Sequence, residues 1–194
     1  MIYLEPSALV GKGLHRECYR HPHDNNLCIK VVVAGNDDET RREQKYYASR
    51  NKRNISWDML PKYHGDIETN LGKGAVFDLA LDHDGKVSKT LQAYLSSAEH
   101  SKNISEALLD SLNALKNYLL QHHIITMTIK PKNIACQNLG QGSYNLMVID
   151  NIGNSDYLPI CNINHYLAKR KIQRKWARFE ATYIQPWLNS ESLL

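Results

Sequence analysis

The spacing of apolar residues changes character once along this chain. Over the first eighty or so positions it alternates, and from about Ser88 it recurs at helical intervals. The run "SALVGKGLHRECYRHPHDNNLCIKVVV" holds an apolar start, a Gly-x-Gly turn, a second extended stretch, a polar His-Pro-His-Asp-Asn-Asn turn and a β-branched third strand ending in Val31, Val32 and Val33. With glycine and proline as turn formers, that pattern predicts a three-stranded meander. "DDETRREQKYYASR" puts acidic residues ahead of basic ones, as a helix dipole prefers, and has no β-branched run after Thr40, so it predicts one helix. "PKYHGDIETNLGKGAVFDLALDHDG" predicts a hairpin with its turn at Asn70 to Gly74 and its second strand at Ala75 to Leu81.

In the second half, "SKTLQAYLSS" predicts a short helix and "SEALLDSLNALKNYLLQHH" a long one, with Ser105 as N-cap and Leu108, Leu112, Leu115 and Leu119 along one face. Three short extended runs follow, "IITMTI", "IACQNL" and "YNLMVID", the last two joined by a Gly-Gln-Gly-Ser turn. A basic helix with an apolar stripe at Ile172, Trp176 and Phe179 comes next, and the tail is expected to dock Trp187 and Leu188 on the same half. Five strands with one inserted helix, then helices with a small second set of strands, is an α+β order. No repeat or linker interrupts it. The expected organisation is a single domain, 1–194, with an antiparallel five-stranded lobe over 1–81 and a short, mostly helical lobe over 82–194.

Composition narrows the class. A chain of 194 residues with 42% hydrophobic and 23% charged positions is long enough to bury a sizeable core and is close to the globular average. Cys18, Cys28, Cys136 and Cys161 include no Cys-x-x-Cys pair, which argues against a zinc ribbon, a redox motif or a disulfide scaffold. His21 and His23, with Cys18 nearby, read as turn residues in a polar loop rather than metal ligands. The start lacks the basic and apolar regions of a signal peptide, and no run of about 18 apolar residues occurs. These features lead to the expectation of a soluble, cytoplasmic protein without a transmembrane segment. The net charge of +4 is modest, but "AKRKIQRKWAR" concentrates Lys169, Arg170, Lys171, Arg174, Lys175 and Arg178. Nucleic-acid binders spread positive charge over more of the chain, so this run reads as a solvated helix face and nucleic acid as an unlikely partner.

The order of elements is that of a protein kinase, and several motifs fall where the kinase signature requires them. Gly11-Lys12-Gly13 lies at the first strand turn, where backbone amides without a Cβ can approach phosphates, although the third glycine of the kinase loop is here Arg16. "CIKV" puts Lys30 near the end of the third strand, on the lysine that meets the α and β phosphates. Glu43, on the next helix, is the carboxylate expected to hold that lysine; Glu39 is the rival one turn earlier, and Tyr46 and Tyr47 mark the Glu43 flank as the inward face. Lys130-Pro131-Lys132-Asn133 matches the last four positions of the catalytic loop, with Lys130 near the transferred phosphate and Asn133 a magnesium ligand. "DNIG" stands for Asp-Phe-Gly, stretched by one residue, with Asp150 as second ligand. An amide and a carboxylate beside nucleotide phosphates are the hard oxygen donors that Mg²⁺ takes.

The segments "GKGLHRECYRHP", "CIKVV", "RREQKYY", "TMTIKPKNIAC" and "VIDNIG" resemble the YrbL family, bacterial proteins described as part of the PhoP regulatory network, over Leu9 to about Phe179. The resemblance implies a kinase-like bilobal fold, and it implies that the Thr-Met-Thr wording and the Asn-Ile-Gly insertion are family features; ATP and Mg²⁺ are the cofactors expected from the kinase-like motifs. It supplies no substrate.

Two departures from the kinase pattern bear on mechanism. Thr128 stands at the position of the catalytic aspartate, and a threonine hydroxyl does not accept a proton near neutral pH. A positioned base is worth about 10² to 10⁴-fold, roughly 3 to 5 kcal/mol. His122, His123 and Asp156 are rival bases, with the two histidines read as ending the long helix. Little chain remains after Gly153, and no Ala-Pro-Glu motif occurs in it. A conventional peptide groove is therefore not expected, and the acceptor stays open among a small molecule, a lipid headgroup and a protein. Two readings follow: an atypical ATP phosphotransferase, or a pseudokinase acting as a regulatory nucleotide- or protein-binding module.

Overall fold

A computed structural model of the chain describes residues 1–35, 41, 43–47, 55–97, 102–153, 161 and 164–191. They form a mixed α+β structure in two compact units, Met1–Val87 and Ser88–Leu194.

The first unit is built on a five-stranded antiparallel sheet in the order β1-β2-β3-β5-β4. Its strands are β1 (Leu9–Lys12), β2 (Arg16–His21), β3 (Asp24–Val32), β4 (Tyr63–Thr69) and β5 (Gly72–Asp78), and residues 43–47 form helix α1 between β3 and β4. The predicted turns are longer than the real ones. Only Pro22 and His23 separate β2 from β3, because Asp24 already pairs with His21 before the register shifts to Cys28 opposite Arg20, and β3 ends at Val32. The β4–β5 hairpin likewise turns on Asn70 and Leu71, with Gly72 at φ 97° opening β5. Two-residue turns suit the right-handed twist of paired strands when a residue of positive φ is available.

Alternation along β3 sends its side chains to opposite faces. Tyr19, Ile29, Val31 and Val76 pack with Leu4 on one face. The terminal segment carrying Leu4 is held there by Leu4 N–H donating to Asn70 Oδ1 at 2.7 Å and Ile2 N–H to Glu68 O at 2.7 Å. Cys28, Ala75 and Phe77 lie on the other face, where Tyr47 of α1 meets Phe77 at 5.3 Å between ring centroids and stacks on Trp57 at 5.7 Å.

The second unit pairs a three-stranded sheet with helices. Strands β6 (Lys89–Thr90), β7 (Ile134–Gly140) and β8 (Ser143–Val148) are antiparallel neighbours, and the helices are α2 (Leu91–Leu95), α3 (Lys102–Gln121), α4 (His165–Phe179) and α5 (Gln185–Glu191). Leu108, Leu112, Leu115 and Leu119 are all buried, as their spacing requires. The helix itself begins at Lys102, so Ser105 lies inside its first turns and is not the cap. Ile172, Trp176 and Phe179 of α4 are buried, and Trp187 of α5 is buried too. Glu180 ties α3 to α4 by accepting from Trp176 Nε1 at 2.6 Å and Lys116 Nζ at 3.1 Å. "IITMTI" does not form a strand: among the described residues it contributes one isolated bridge, Thr126 with Ile152. No described helix is long and apolar enough to cross a membrane.

Candidate functional site

The candidate residues fall on both units. On the first, Gly11 sits in β1 and Gly13 in the turn that follows, where Gly13 N–H donates to Arg16 O at 2.7 Å. A Cβ on Gly13 would press on that carbonyl at 3.2 Å, whereas one on Gly11 would meet open space. Lys12 between them is exposed and pairs with Glu17 at 2.9 Å. The hydrogen bond from Lys12, followed by that from Tyr19, lowers the Glu17 pKa, and the same contact raises that of Lys12.

Lys30 is half-buried in β3, opposite Cys18 of β2 and Ala75 of β5. Its ammonium lies over the Phe77 ring, 4.5 Å from the centroid, within cation–π range. That puts it on the sheet face that α1 covers. Glu43 of α1 is 1% exposed and stands one turn before Tyr47, so the inward orientation expected of it is what the structure has. The expected partner of this carboxylate is Lys30. In the structure Glu43 Oε2 accepts from the Arg16 guanidinium at 2.5 Å, and Oε1 is buried with no hydrogen-bond partner among the described residues. Arg16 reaches it because it shares a strand face with Cys18, two positions on, and hence with Lys30. Glu39 lies outside the described residues.

On the second unit, two backbone segments are knitted together. Met127 N–H donates to Asn151 O at 2.7 Å, Gly153 N–H donates to Ile125 O at 2.8 Å, and Thr126 bridges Ile152. Asn151, at φ 61°, has the left-handed backbone that asparagine tolerates better than most residues. Its side-chain Nδ2 donates to Thr128 Oγ1 at 3.1 Å. Thr128 and Lys130 are exposed. Lys130 precedes a single 3-10 turn, Pro131–Asn133, whose proline at the first position sets the helical φ without sacrificing a needed donor. Asn133 N–H closes that turn on Lys130 O at 2.9 Å.

That turn delivers Asn133 to the start of β7, and the β7–β8 ladder continues one step beyond Ile134–Val148 through Ile149 N–H to Asn133 O at 2.9 Å. Asn133 and Asp150 therefore occupy the same end of one hairpin. Asn133 is 6% exposed, and its Nδ2 has no partner among the described residues. Leaving such a donor unmade costs about 1–3 kcal/mol, so a buried orphan amide is a feature a ligand would satisfy. Asp150 is half-buried, with Oδ1 accepting from Asn151 N–H at 2.8 Å. One amide and one carboxylate are too few for a dedicated metal cage, but they suit Mg²⁺, which binds through one or two protein ligands together with substrate phosphates and water. Among the described residues no group of three or more His, Cys, Asp or Glu forms a metal cluster.

Of the rival bases, His122 packs on Tyr118 at 4.8 Å and His123 stacks on His165 at 4.1 Å, both past the end of α3. Asp156 lies outside the described residues.

The family described as "PhoP regulatory network protein YrbL" matches residues 2–184. This chain belongs to the YrbL family. It is 40% identical over 184 residues to "Uncharacterized protein YrbL" of Escherichia coli (strain K12), an alignment covering 93% of this chain and 87% of that protein. The Shigella flexneri protein of the same description is similar at the same identity and coverage. All the candidate residues lie within the span that the YrbL family matches.

Three residues of this arrangement escape a reading of the sequence alone. Arg16 stands out there only as a missing glycine, and Asn151 only as an inserted residue. Lys175 is hidden in the basic run, yet its ammonium donates to Thr126 O at 2.5 Å and Met127 O at 2.6 Å, clamping the backbone that leads into Thr128. The usable signal was its place beside Trp176, at the flank of the apolar stripe, where a lysine buries its stem and carries its charge inward or outward.

Proposed function

We propose that this YrbL-family chain is a kinase-like protein that binds ATP with Mg²⁺, an atypical phosphotransferase without the usual catalytic-loop aspartate. The observation that supports it most is the hairpin end bearing Asn133 and Asp150, where the unmet Nδ2 donor of a buried amide calls for an acceptor such as a phosphate oxygen and leaves Oδ1 for a metal. Asn133 and Asp150 would hold the metal, which when bound neutralises charge on the phosphates. Lys30 would contact the phosphates, Lys130 would stabilise charge on the transferred group, and the Gly11-Lys12-Gly13 turn would offer backbone donors. Phosphoryl transfer depends mainly on positioning and electrostatics, so these residues retain most of what it needs. Thr128 contributes orientation and no proton transfer; its oxygen already accepts the Asn151 amide. The acceptor class is a small molecule, a lipid headgroup or a protein.

That same bond favours a second reading, a pseudokinase that signals by binding. Thr128 is held in place with no described carboxylate bonded to it, and a regulatory module would suit a family named for a regulatory network.

Thermal unfolding with and without Mg-ATP, together with transfer from γ-labelled ATP in the presence of cell extract, tests both readings. Binding predicts nucleotide-dependent stabilisation of the wild type that is lost in Asp150→Ala and Asn133→Ala. Label on any acceptor that disappears in Asp150→Ala supports transfer, and stabilisation without label supports the pseudokinase. A wild type indifferent to Mg-ATP overturns the nucleotide reading.

A further inference from the structure

The strand register of the first unit brings two of the four cysteines together. Cys18 lies opposite Lys30 and Cys28 opposite Arg20 on the neighbouring antiparallel strand. Cys18 and Cys28 are thus diagonal neighbours on one sheet face, the face shared with Lys30 and Phe77. Their environments differ. Cys28 is 3% exposed and its Sγ lies 3.7 Å from Asp78 O, whereas Cys18 is only partly buried. A hydrogen bond to Cys18, and after it burial, pushes the Cys28 thiol well above its ordinary pKa. Cys28 is thereby kept a protonated thiol. The accessible member of the pair sits directly across from a lysine, the setting that promotes thiolate character.

We propose that Cys18 and Cys28 are a redox pair, in which a hydroperoxide oxidises Cys18 and Cys28 resolves the product to an intrachain disulfide. In the first step the Cys18 sulfur attacks the peroxide: an S–O bond forms, the O–O bond breaks, and an alcohol or water leaves. In the second, the Cys28 sulfur attacks the Cys18 sulfenic acid: the S–S bond forms, the S–O bond breaks, and the departing hydroxide takes the Cys28 proton to leave as water. Two thiols give up two electrons to one hydroperoxide, and a thiol reductant reverses the change. Diagonal Cα atoms in an antiparallel pair stand about 7–8 Å apart, while a disulfide needs no more than about 6.8 Å. A shear on the order of 1 Å is therefore required, and the register irregularity between Arg20 and His21, next to the pair, is where the ladder can yield. The consequence is a covalent staple between β2 and β3 opposite Lys30. This inference stands apart from the nucleotide reading and fails or holds without it.

The test treats the full-length reduced protein with hydrogen peroxide, alkylates the remaining thiols and maps the peptides. The expected result is parallel loss of the Cys18 and Cys28 thiols, a Cys18–Cys28 cross-linked peptide that dithiothreitol removes, and an unchanged Cys136. In Cys28→Ala, dimedone should trap Cys18 as the sulfenic acid, and in Cys18→Ala, Cys28 should stay reduced. Because the wild-type mapping needs no variant, a folding defect in Cys28→Ala leaves the test intact. Both thiols remaining alkylatable overturns the proposal, as does cross-linking of Cys18 to Cys161 or to a second chain instead of to Cys28. Oxidation of Cys28 in Cys18→Ala as fast as in wild type overturns the assigned order.

Discussion

Replacing Arg16 with methionine should destabilise the first unit far more than an ordinary surface change. The Arg16 side chain is 11% exposed and that of Glu43 1% exposed, and they meet at 2.5 Å. Methionine preserves much of the arginine stem, so the loss is chiefly of charge and hydrogen bonding. Removing one partner of a buried pair strands the other charge and typically costs about 3–5 kcal/mol. Glu43 Oε1 already lacks a hydrogen-bond partner among the described residues, so no second donor among them is bonded there to absorb the loss. The expected destabilisation is therefore about 3–5 kcal/mol. Arg16→Met with Glu43→Leu should recover a large part of it, because two apolar groups leave nothing unpaired. Urea unfolding followed through Trp57 reports on the right region: Trp57 stacks on Tyr47, one turn from Glu43, and the other two tryptophans are in the second unit. A loss under about 1 kcal/mol, or a double-mutant cycle without coupling, would refute the claim that Arg16 is what neutralises Glu43.

Lys175→Met removes two charge-assisted bonds to the Thr126 and Met127 carbonyls and should cost about 2–3 kcal/mol; hydrogen exchange at Met127 and Gly153 should accelerate, and unchanged exchange would show that the clamp does not hold the loop. At Asn151 the usual ranking of substitutions should invert, with Asn151→Gly milder than Asn151→Ala in thermal unfolding, since alanine at φ 61° adds about 1–2 kcal/mol of backbone strain; equal melting temperatures would refute it. Tyr63 is raised above its ordinary pKa, first by burial and then by its 2.6 Å hydrogen bond to Asp66. The unfolded chain therefore ionises it first, so stability held below about pH 10 is lost as pH rises beyond that. Tyr63→Phe should flatten that alkaline fall in a pH series of urea midpoints, and an unchanged slope would assign the fall to other groups.

Much of the second unit and of the sheet was legible because the governing patterns are local. Leucines at 108, 112, 115 and 119 describe one face of a helix wherever it packs, and the alternation from Arg16 to Val32 describes strands. Boundaries were less legible. Asp24 to Asn26 look like a turn by composition but lie within β3, where Asp24 pairs with His21 and Asn26 O accepts from Leu79 N–H, and Ser105 looks like a cap although the helix runs on upstream. "IITMTI" has strand-like residues, yet it became a bridge because its hydrogen bonds go to Asn151 and Gly153 rather than along a neighbouring strand.

The sequence by itself determined the residue types and spacings of the site, the inward face of α1 at Glu43 and Tyr47, and membership of the YrbL family, since each is a property of order along the chain. Only the tertiary structure decided who meets whom: Arg16 at Glu43, Asn151 at Thr128, Lys175 at the loop carbonyls, and Cys18 diagonal to Cys28 across β2 and β3. Such contacts depend on strand register and helix docking, where a shift of one residue sends every side chain to the other face, and no local pattern records that choice.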